Sequence, residues 1–212
     1  MTERPMRVEP VVLEGDHVRM EPMSPDHLPG LLAIGLDPTI WTWMPLTVRT
    51  AEDIRALVEA ALKARDAGME FPFVTVDRAS GRPVGSSRYL AFVLEHARLE
   101  IGWTWIAPAW QRSAVNTEAK LLMLGHAFDV LGCRRVEFKT DSHNEPSRRA
   151  LLGIGATFEG IFRKHMLVRG GERRDSAWYS ITDDEWPDVR VHLEARLARG
   201  STDEPRMVGS AP

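Results

Sequence analysis

The sequence predicts one α/β (α+β) domain in which helices flank a single mixed, mostly antiparallel sheet. The first observation is size: 212 residues with 43% apolar and 27% charged residues suit one medium soluble domain. The second is a succession of three strand-like segments at residues 71–76, 82–93 and 97–106. The third is the alternation of helix and strand that follows them. Strands followed by a strand–helix–strand–helix–strand unit indicate one mixed sheet.

Two helices precede these strands. A first strand at residues 17–22 is followed by a serine–proline helix start, and Pro29 predicts that this helix is short. The second helix has clearer signals. Thr50 and Asp53 form a capping-box pattern, and apolar residues recur at helical spacing until Gly68.

The strand at residues 97–106 alternates, which predicts two distinct faces. One face is expected to carry Leu99, Ile101, Trp103 and Trp105, and the other Glu100, Gly102 and Thr104. A long helix is predicted at residues 115–131, and the following elements are a strand at 134–140, a short helix near 145–155, strands at 158–168 and 174–181, and a surface helix at 188–199. We expect the domain to span residues 11–199 and residues 200–212 to form a disordered tail.

Composition excludes several function classes. A formal net charge of −3 gives no general attraction to nucleic acid or anionic membranes. The charged N-terminus lacks the apolar region of a signal peptide, and no segment reaches the length of a membrane span, so we expect a cytoplasmic protein. The single cysteine, Cys133, follows Gly132 and is expected to be buried. Seven scattered histidines predict no metal site, and no hydrolase motif is present.

Residues 108–120, PAWQRSAVNTEAK, join the strand that ends at Ile106 to the long helix. The unpaired N–H groups and the dipole of a helix start attract anions, and Arg112, Ser113 and Asn116 lie there. The segment is equally compatible with an ordinary turn carrying solvated polar residues. Neither a P-loop nor a dinucleotide fingerprint is present.

The wider pattern resembles the GNAT N-acetyltransferase superfamily and, within it, the RimJ/RimL-type subgroup, whose namesakes acetylate N-termini of ribosomal proteins. The segments that carry this resemblance are residues 101–128, 135–166 and 173–186, and it covers roughly residues 13–197. It implies a six- to seven-stranded sheet that splays between its fourth and fifth strands, with acetyl-CoA as co-substrate in the gap and no metal.

The resemblance also implies cofactor-binding residues. A Q/R-x-x-G-x-G/A turn is matched by Gln111, Arg112, Ser113, Ala114, Val115 and Asn116. This sequence departs from that pattern, because Arg112 and Ala114 stand where glycines are expected and Asn116 takes the last small position. In the NEPS segment, Asn144 is placed beside the pantetheine arm and Ser147 near the thioester sulfur, although both residue types also suit a helix start. Arg148 and Arg149 are placed near the 3′-phosphate.

Glu100 is the candidate general base, because related enzymes often carry a glutamate on this strand; a solvated strand carboxylate is the alternative. A backbone N–H of Trp105 or Ile106 would hold the oxyanion, and Ser147 would protonate the thiolate. Asp141 and Asp175 are the next candidate bases, and Tyr179 is expected to be a substrate-side or packing residue. The basic segment Arg163, Lys164 and His165 suits a solvated strand face or an anionic substrate.

The predicted function is acetyl-CoA-dependent transfer to a primary amine, most directly a peptide or protein N-terminus. An α-amine has a pKa near 7.7–8.0, so a larger share is neutral at physiological pH than for lysine. Two alternatives stay open: acetylation of a small amine such as an antibiotic, polyamine or amino-acid-like molecule, and a non-catalytic acyl-CoA-binding module. We also expect a homodimer, because Trp178 and Trp186 look exposed in the last strand and helix.

Overall fold

The computed structural model describes residues 8–200, so the predicted tail at 201–212 lies outside the described residues. Eight strands and five α-helices alternate along this part of the chain. The strands are β1 (Leu13–Glu14), β2 (Val18–Pro22), β3 (Glu70–Asp77), β4 (Arg82–Val93), β5 (Arg98–Ile106), β6 (Arg135–Asp141), β7 (Thr157–Val168) and β8 (Glu172–Thr182). The helices are α1 (Leu28–Gly35), α2 (Ala51–Asp66), α3 (Ala114–Gly125), α4 (Glu145–Gly153) and α5 (Trp186–Gly200).

The strands form one sheet in the order β1-β2-β3-β4-β5-β6-β8-β7. Every neighbouring pair is antiparallel except β5 and β6, which are parallel. The predicted mixed, mostly antiparallel sheet is confirmed, with eight strands instead of six or seven. The two-residue β1 is too short for a hydrophobic pattern to reveal it.

A β-bulge interrupts β5 and overturns the predicted alternation. Ser86 pairs with Trp105 but Arg88 pairs with Gly102, so Trp103 and Thr104 together oppose one residue of β4. Trp103 has a φ of 52°, in the left-handed region. Because the bulge adds one residue, it moves the following side chains to the opposite face. Leu99 and Ile101 therefore face one way, while both tryptophans face the other, with Glu100.

Two apolar clusters lie on opposite faces of the sheet. The larger one packs α3, α4 and α5 against the sheet, and fully buried Tyr89, Met123 and Tyr179 belong to it. The smaller one packs α1 and α2 against β3 and β5, with Trp41 and Trp105 in contact at a ring-centroid distance of 5.3 Å. Helices cover both faces of the central strands. The strand ends and the gap between β5 and β6 are therefore the places where a site can form.

Helix α3 is tied to the rest of the protein by two buried charged residues. Glu118 accepts three backbone hydrogen bonds, from Asp16 at 2.8 Å, His17 at 2.7 Å and Val18 at 2.6 Å. Lys120 lies two residues on and reaches the hydroxyl groups beside the β5 bulge. These bonds hold the start of α3 against β1 and β2 on one side and against β5 on the other.

The long helix predicted at residues 115–131 is α3 continued by a π-helical turn at His126–Val130. Tyr89 donates its hydroxyl hydrogen to the Met123 carbonyl at 2.6 Å just before this turn. Cys133 is buried, and burial raises the pKa of its thiol to about 12. A thiol with that pKa is not a nucleophile at neutral pH.

Strand β7 lies at one edge of the sheet and pairs only with β8. Its register shifts twice, between Phe158 and Gly160 and between Phe162 and Met166. Lys164 has a φ of 52°, and its N–H donates to the Asp175 carboxylate at 2.6 Å. Asp175 therefore has a structural role in holding this irregular segment of β7.

No helix among residues 8–200 is long and apolar enough to cross a membrane.

Candidate functional site

The sheet opens between β5 and β6. Only three residue pairs join these strands, Arg98–Arg135, Leu99–Val136 and Glu100–Glu137, and the remainder of each strand diverges from the other. The predicted splay is present, between the fifth and sixth strands because β1 precedes the others. The gap starts at Glu100 and leads toward the N-termini of α3 and α4, which follow β5 and β6 directly.

The turn before α3 presents backbone N–H groups at the wide end of this gap. Ser113 is the N-cap, and its hydroxyl donates to the Trp110 carbonyl at 2.6 Å and accepts from the Val115 N–H at 3.3 Å. The Val115 side chain is buried in the larger cluster. Among residues 8–200, the structure gives no capping partner to the N–H groups of Ala114 and Asn116. Those two N–H groups are thus available to an anion.

The missing glycine of this turn has a physical explanation. Arg112 has a φ of 60°, a left-handed conformation that glycine adopts most readily. Its side chain is exposed, so the remainder of the fold leaves it room, although a non-glycine residue is strained in this conformation. Gln111 donates from its amide to the Ile106 carbonyl at 2.9 Å and fixes the turn to the end of β5. The backbone path that glycines usually provide is therefore present without them.

The N-terminus of α4 faces the gap from β6. Asn144 is its N-cap and accepts the Ser147 N–H at 3.1 Å, as the helix-start interpretation predicted. The Ser147 side chain is half-buried and makes no hydrogen bond within the described part of the chain. Arg149 is exposed. Arg148 donates to the Tyr179 hydroxyl at 3.1 Å, and its position near a 3′-phosphate stays a prediction.

Glu100 is buried, with 2% of its surface exposed, at the point where β5 and β6 part. Lys139 donates from Nζ to its Oε2 at 2.8 Å. Burial raises the pKa of Glu100 and outweighs the opposing effect of the Lys139 ammonium. A Cβ at Gly102 would lie 2.8 Å from Glu100 Oε1, so a larger residue there would displace the carboxylate. The carboxylate is thus neither solvated nor fully neutralised.

The end of β5 also distinguishes the two predicted oxyanion donors. The N–H of Ala107 donates to the Val84 carbonyl of β4 at 2.9 Å. Backbone groups of a strand point alternately to its two sides, so the Trp105 N–H also points to β4. The N–H of Ile106 points away from β4 and into the gap. Ile106 therefore fits the predicted role, and Trp105 does not.

We name the surface around Glu100 the Glu100 face; it comprises Glu100, Lys139, Asp141, Arg174 and Trp178. Their strands place these residues on the same side of the sheet, because Trp178 pairs with Lys139 and Ser176 pairs with Asp141 in a regular ladder. The Lys139 ammonium lies 5.3 Å from the centroid of the Trp178 ring. Phe162 stacks on the other side of this tryptophan, with ring centroids 4.6 Å apart.

The β7–β8 hairpin closes this face on one side. At the hairpin tip, the Arg169 N–H donates to the Pro45 carbonyl at 2.9 Å, and its guanidinium donates to the Met44 carbonyl at 2.9 Å. Both carbonyls belong to the connection between α1 and α2. The Glu100 face therefore lies between that connection and the hairpin, on the side of the sheet opposite α3.

A cavity of about 380 Å³ adjoins the Glu100 face between α2 and the central strands. Arg88 and Trp103 line it, and the guanidinium lies 4.7 Å from the centroid of the tryptophan ring. Arg88 also donates to Glu70 at 2.7 Å. Glu100 does not line the cavity, but Arg88 pairs with Gly102 beside it. The cavity thus lies next to the Glu100 face, and the Glu100 carboxylate lies outside it.

Sequence reasoning missed several charged residues of this region. Arg88, Lys120, Lys139 and Arg174 occupy strand or helix positions that look like ordinary solvated charges. Three of them, Arg88, Lys139 and Arg174, share a face with Glu100 by strand alternation, and this signal appears only once the strand order is known. Tyr179 is fully buried and packs in the larger cluster, so it is a packing residue. Within residues 8–200, no group of three His, Cys, Asp or Glu side chains is arranged to hold a metal ion.

Comparisons with known proteins agree with this geometry. Residues 17–157 match the family model described as Acetyltransferase (GNAT) domain. The uncharacterized N-acetyltransferase YnaD of Bacillus subtilis (strain 168) is 29% identical over 150 residues, 71% of this chain and 84% of YnaD. A GCN5-related N-acetyltransferase from Brucella melitensis superposes with a TM-score of 0.85 at 33% identity, covering 93% of this chain and 90% of that one.

RimJ of Mycobacterium smegmatis, solved in complex with CoA-disulfide, has a TM-score of 0.72 at 23% identity. The superposition covers 84% of this chain and 88% of RimJ. At this identity the likeness concerns the fold.

Proposed function

The chain belongs to the GNAT acetyltransferase family and is an acyltransferase, and from this premise we propose that it transfers an acetyl group from acetyl-CoA to the N-terminal α-amine of a peptide or protein. Membership in the family confirms the resemblance found in the sequence. What we propose is the identity of the amine acceptor. The observation that carries the proposal is the buried Glu100 carboxylate at the origin of the gap, with its raised pKa and single ammonium partner.

Acetyl-CoA fits the residues along the gap. The N–H groups of Ala114 and Asn116, together with the left-handed turn at Arg112, suit a pyrophosphate, and the Arg112 guanidinium adds positive charge. Asn144 and Ser147 line the facing side at the start of α4. Of the proposed binding residues, Gln111, Ser113 and Val115 act through the shape of the turn, because their side chains are engaged within the protein. Bound acetyl-CoA supplies the thioester that the amine attacks.

The chain's own residues divide the chemistry as follows. Glu100 accepts a proton from the amine, directly or through one water, so that the nitrogen lone pair becomes available. The Ile106 N–H donates to the oxygen on which negative charge develops. Ser147 donates its hydroxyl proton to the departing thiolate and regains a proton from water, while Glu100 releases the amine proton to solvent. Glu100 and Ile106 lie near the two ends of β5, and Ser147 lies in α4, which follows β6. No covalent enzyme intermediate is needed.

The raised pKa of Glu100 favours an α-amine over a lysine side chain. A more basic carboxylate removes a proton more effectively, but it remains far weaker than lysine, whose pKa is ~10.4. An α-amine with a pKa near 7.7–8.0 is already about one third neutral at pH 7.5. Proton transfer from such an amine to Glu100 is therefore a small step.

A direct acceptor screen tests the proposal. We expect acetylation of peptides with free N-termini and no activity on the same peptides with blocked N-termini that retain a lysine. Polyamines and aminoglycoside-type amines form the small-molecule arm, and turnover confined to that arm would reject the N-terminal acceptor. Acetyl-CoA or CoA should also raise the melting temperature by mass action. A protein that binds CoA and acetylates nothing would be the non-catalytic module.

We also propose a homodimer. Trp186 does not support it, since this residue is 4% exposed and stacks on Phe128 in the core. The supporting observation is the Trp178–Phe162 stack, in which Phe162 is 51% exposed. Light scattering tests this directly, and a mass near the monomer value of 23.9 kDa at micromolar concentration would reject the dimer.

A further inference from the structure

Arg174 is a buried cation that the described part of the protein leaves without a partner. Only 6% of its surface is exposed, and its Nε makes no hydrogen bond. Within residues 8–200, no carboxylate lies within ion-pair distance of its guanidinium. Burial lowers the pKa of Arg174, and the nearby carboxylates Asp141 and Glu100 offset this only in part. An unpaired charge in such a position destabilises the fold unless a complementary group binds to it.

Arg88 provides an internal comparison. It is also buried, at 5% exposure, and its Nε is likewise unbonded. Its guanidinium, however, is neutralised by Glu70 at 2.7 Å and lies over the Trp103 ring. The fold therefore provides an ion-paired carboxylate and an aromatic ring for Arg88, whereas the carboxylates near Arg174 lie beyond ion-pair distance. Packing alone accounts for Arg88, whereas Arg174 lacks the complementary group that a buried guanidinium needs.

Arg174 belongs to the Glu100 face. It lies on β8 two residues before Ser176 and four before Trp178, so strand alternation places all three on the same side of the sheet. Lys139 is already paired with Glu100, and Arg169 is bound to the α1–α2 connection. Arg174 is thus a cation of this face without an ion-pair partner among the described residues, and its charge acts on Glu100, the carboxylate that we propose accepts the amine proton.

We propose that Arg174 binds a carboxylate of the acceptor, so that the acetylated molecule carries a carboxylate as well as its amine. This inference rests on the proposed function and specifies its substrate class. In a peptide the carboxylate belongs to an acidic residue at or next to the N-terminus; in a small acceptor it is the carboxylate of an amino acid. The planar guanidinium suits a carboxylate because it donates two parallel hydrogen bonds.

Matched acceptor pairs test this inference. We compare a peptide that begins Ser-Asp with one that begins Ser-Asn, and a free amino acid with its amide. The wild-type enzyme should prefer the acidic member of the productive pair by roughly tenfold to a hundredfold in kcat/KM, as expected for hydrogen bonds to a charged group. Whichever pair is acetylated identifies the source of the carboxylate. Equal kcat/KM for the two members would overturn the inference while leaving acetyl transfer intact.

The variant Arg174→Met links the preference to this residue. It should lose the preference, keep its KM for acetyl-CoA, and melt at an unchanged or higher temperature, because an unmatched buried charge has been removed. Arg173→Gln, an exposed neighbour on the other side of β8, should behave as wild type. A lower melting temperature with an intact acid preference would show that Arg174 is structural.

A binding measurement covers the case in which no acceptor is turned over. In the presence of CoA, the acidic peptide should raise the wild-type melting temperature more than its asparagine counterpart does. This difference should disappear in Arg174→Met. If neither peptide shifts the melting temperature of either protein, the carboxylate site is refuted, and the absence of turnover separately counts against the proposed function.

Discussion

Lys139 donates a hydrogen bond of 2.8 Å to Glu100 across the line where β5 and β6 separate. The lysine comes from β6 and the glutamate from β5, so the pair joins the two halves of the sheet at the origin of the gap. Its effect on Glu100 opposes that of burial, which raises the pKa of the carboxyl. The lysine therefore limits the rise in pKa that burial causes, and the Glu100 carboxylate is left more basic than a solvated one.

Removal of the Lys139 charge should move the acid limb of the pH profile. In Lys139→Met the pKa of Glu100 rises further, because the lysine is the main influence that lowers it. The acid limb of kcat/KM should then shift to higher pH, and activity should approach wild type in alkaline buffer. Lys139→Arg keeps the charge and should leave the limb in place. An unshifted limb in Lys139→Met would mean that another group controls it.

Glu100→Gln should lower kcat by ~10²–10⁴-fold with little change in acetyl-CoA affinity, as expected for loss of positioned proton transfer. The difference in kcat between wild type and Glu100→Gln should narrow as pH rises toward the pKa of the amine, because a larger fraction of the acceptor amine is then neutral. Glu137→Gln is the matched control: Glu137 pairs with Glu100 across the strands but is bound to Arg98 and Arg135. A pH-independent, modest loss in Glu100→Gln would assign the base to Asp141 or to water.

Ser147→Ala distinguishes the proton donor from the base. It should reduce kcat, and the difference in kcat from wild type should not narrow at high pH, because the proposed role of Ser147 is protonation of the thiolate. Its melting temperature should be unchanged, since the hydroxyl makes no hydrogen bond within the described residues. Unaltered kcat would remove Ser147 from the mechanism.

Arg112→Gly separates the charge of the turn from its shape. Glycine keeps the left-handed backbone and relieves a cost of about 1–2 kcal/mol, against an entropic cost of about 0.5–1 kcal/mol, so stability should change little. The KM for acetyl-CoA should rise several-fold and become less sensitive to salt, because a charge facing the phosphates has been removed. Arg55→Gln, an exposed arginine on α2, serves as the control. Identical KM and salt dependence would exclude a phosphate contact.

Lys120 predicts an unusual dependence of stability on pH. Its ammonium donates to Thr104 at 2.7 Å and to Ser87 at 3.3 Å, and burial lowers the pKa of this lysine to about 7. In the unfolded chain the lysine pKa is ~10.4, so between about pH 7 and 10 the unfolded state binds more protons. Stability from this group therefore rises with pH over that window and is lowest below it.

Lys120→Met should thus stabilise the protein by up to about 4 kcal/mol below pH 7, and the gain should shrink toward about pH 10. Denaturant unfolding of both proteins across this range measures it. Lys63→Met, at an exposed position of α2, should show no such trend. If the free energy of unfolding of Lys120→Met minus that of wild type is constant with pH or negative, Lys120 stays charged and well solvated.

Much of the fold could be predicted because its signals are local. Capping at Thr50, helical spacing in α2 and the succession of strands and helices along the chain depend on neighbours in sequence. The structure confirms all three. The faces of β5 could not be predicted beyond Ile101. The bulge at Trp103 arises from pairing with β4, a contact that the sequence pattern of one strand does not contain.

The candidate site divides in the same way. The turn before α3 and the start of α4 are local motifs, and their backbone geometry agreed with expectation. Lys139 enters the site because β6 lies beside β5, and Arg174 enters it because β8 lies beside β6. In the sequence they resemble ordinary surface charges.

The irregular edge strand β7 has a consequence for how copies of this protein can meet. Two bulges and the charged residues Arg163 and Lys164 interrupt the row of free backbone groups along its outer side. A regular strand from another molecule cannot match that row, so continuous intermolecular sheets are disfavoured. Association of copies through this edge would therefore need side-chain packing in place of strand pairing.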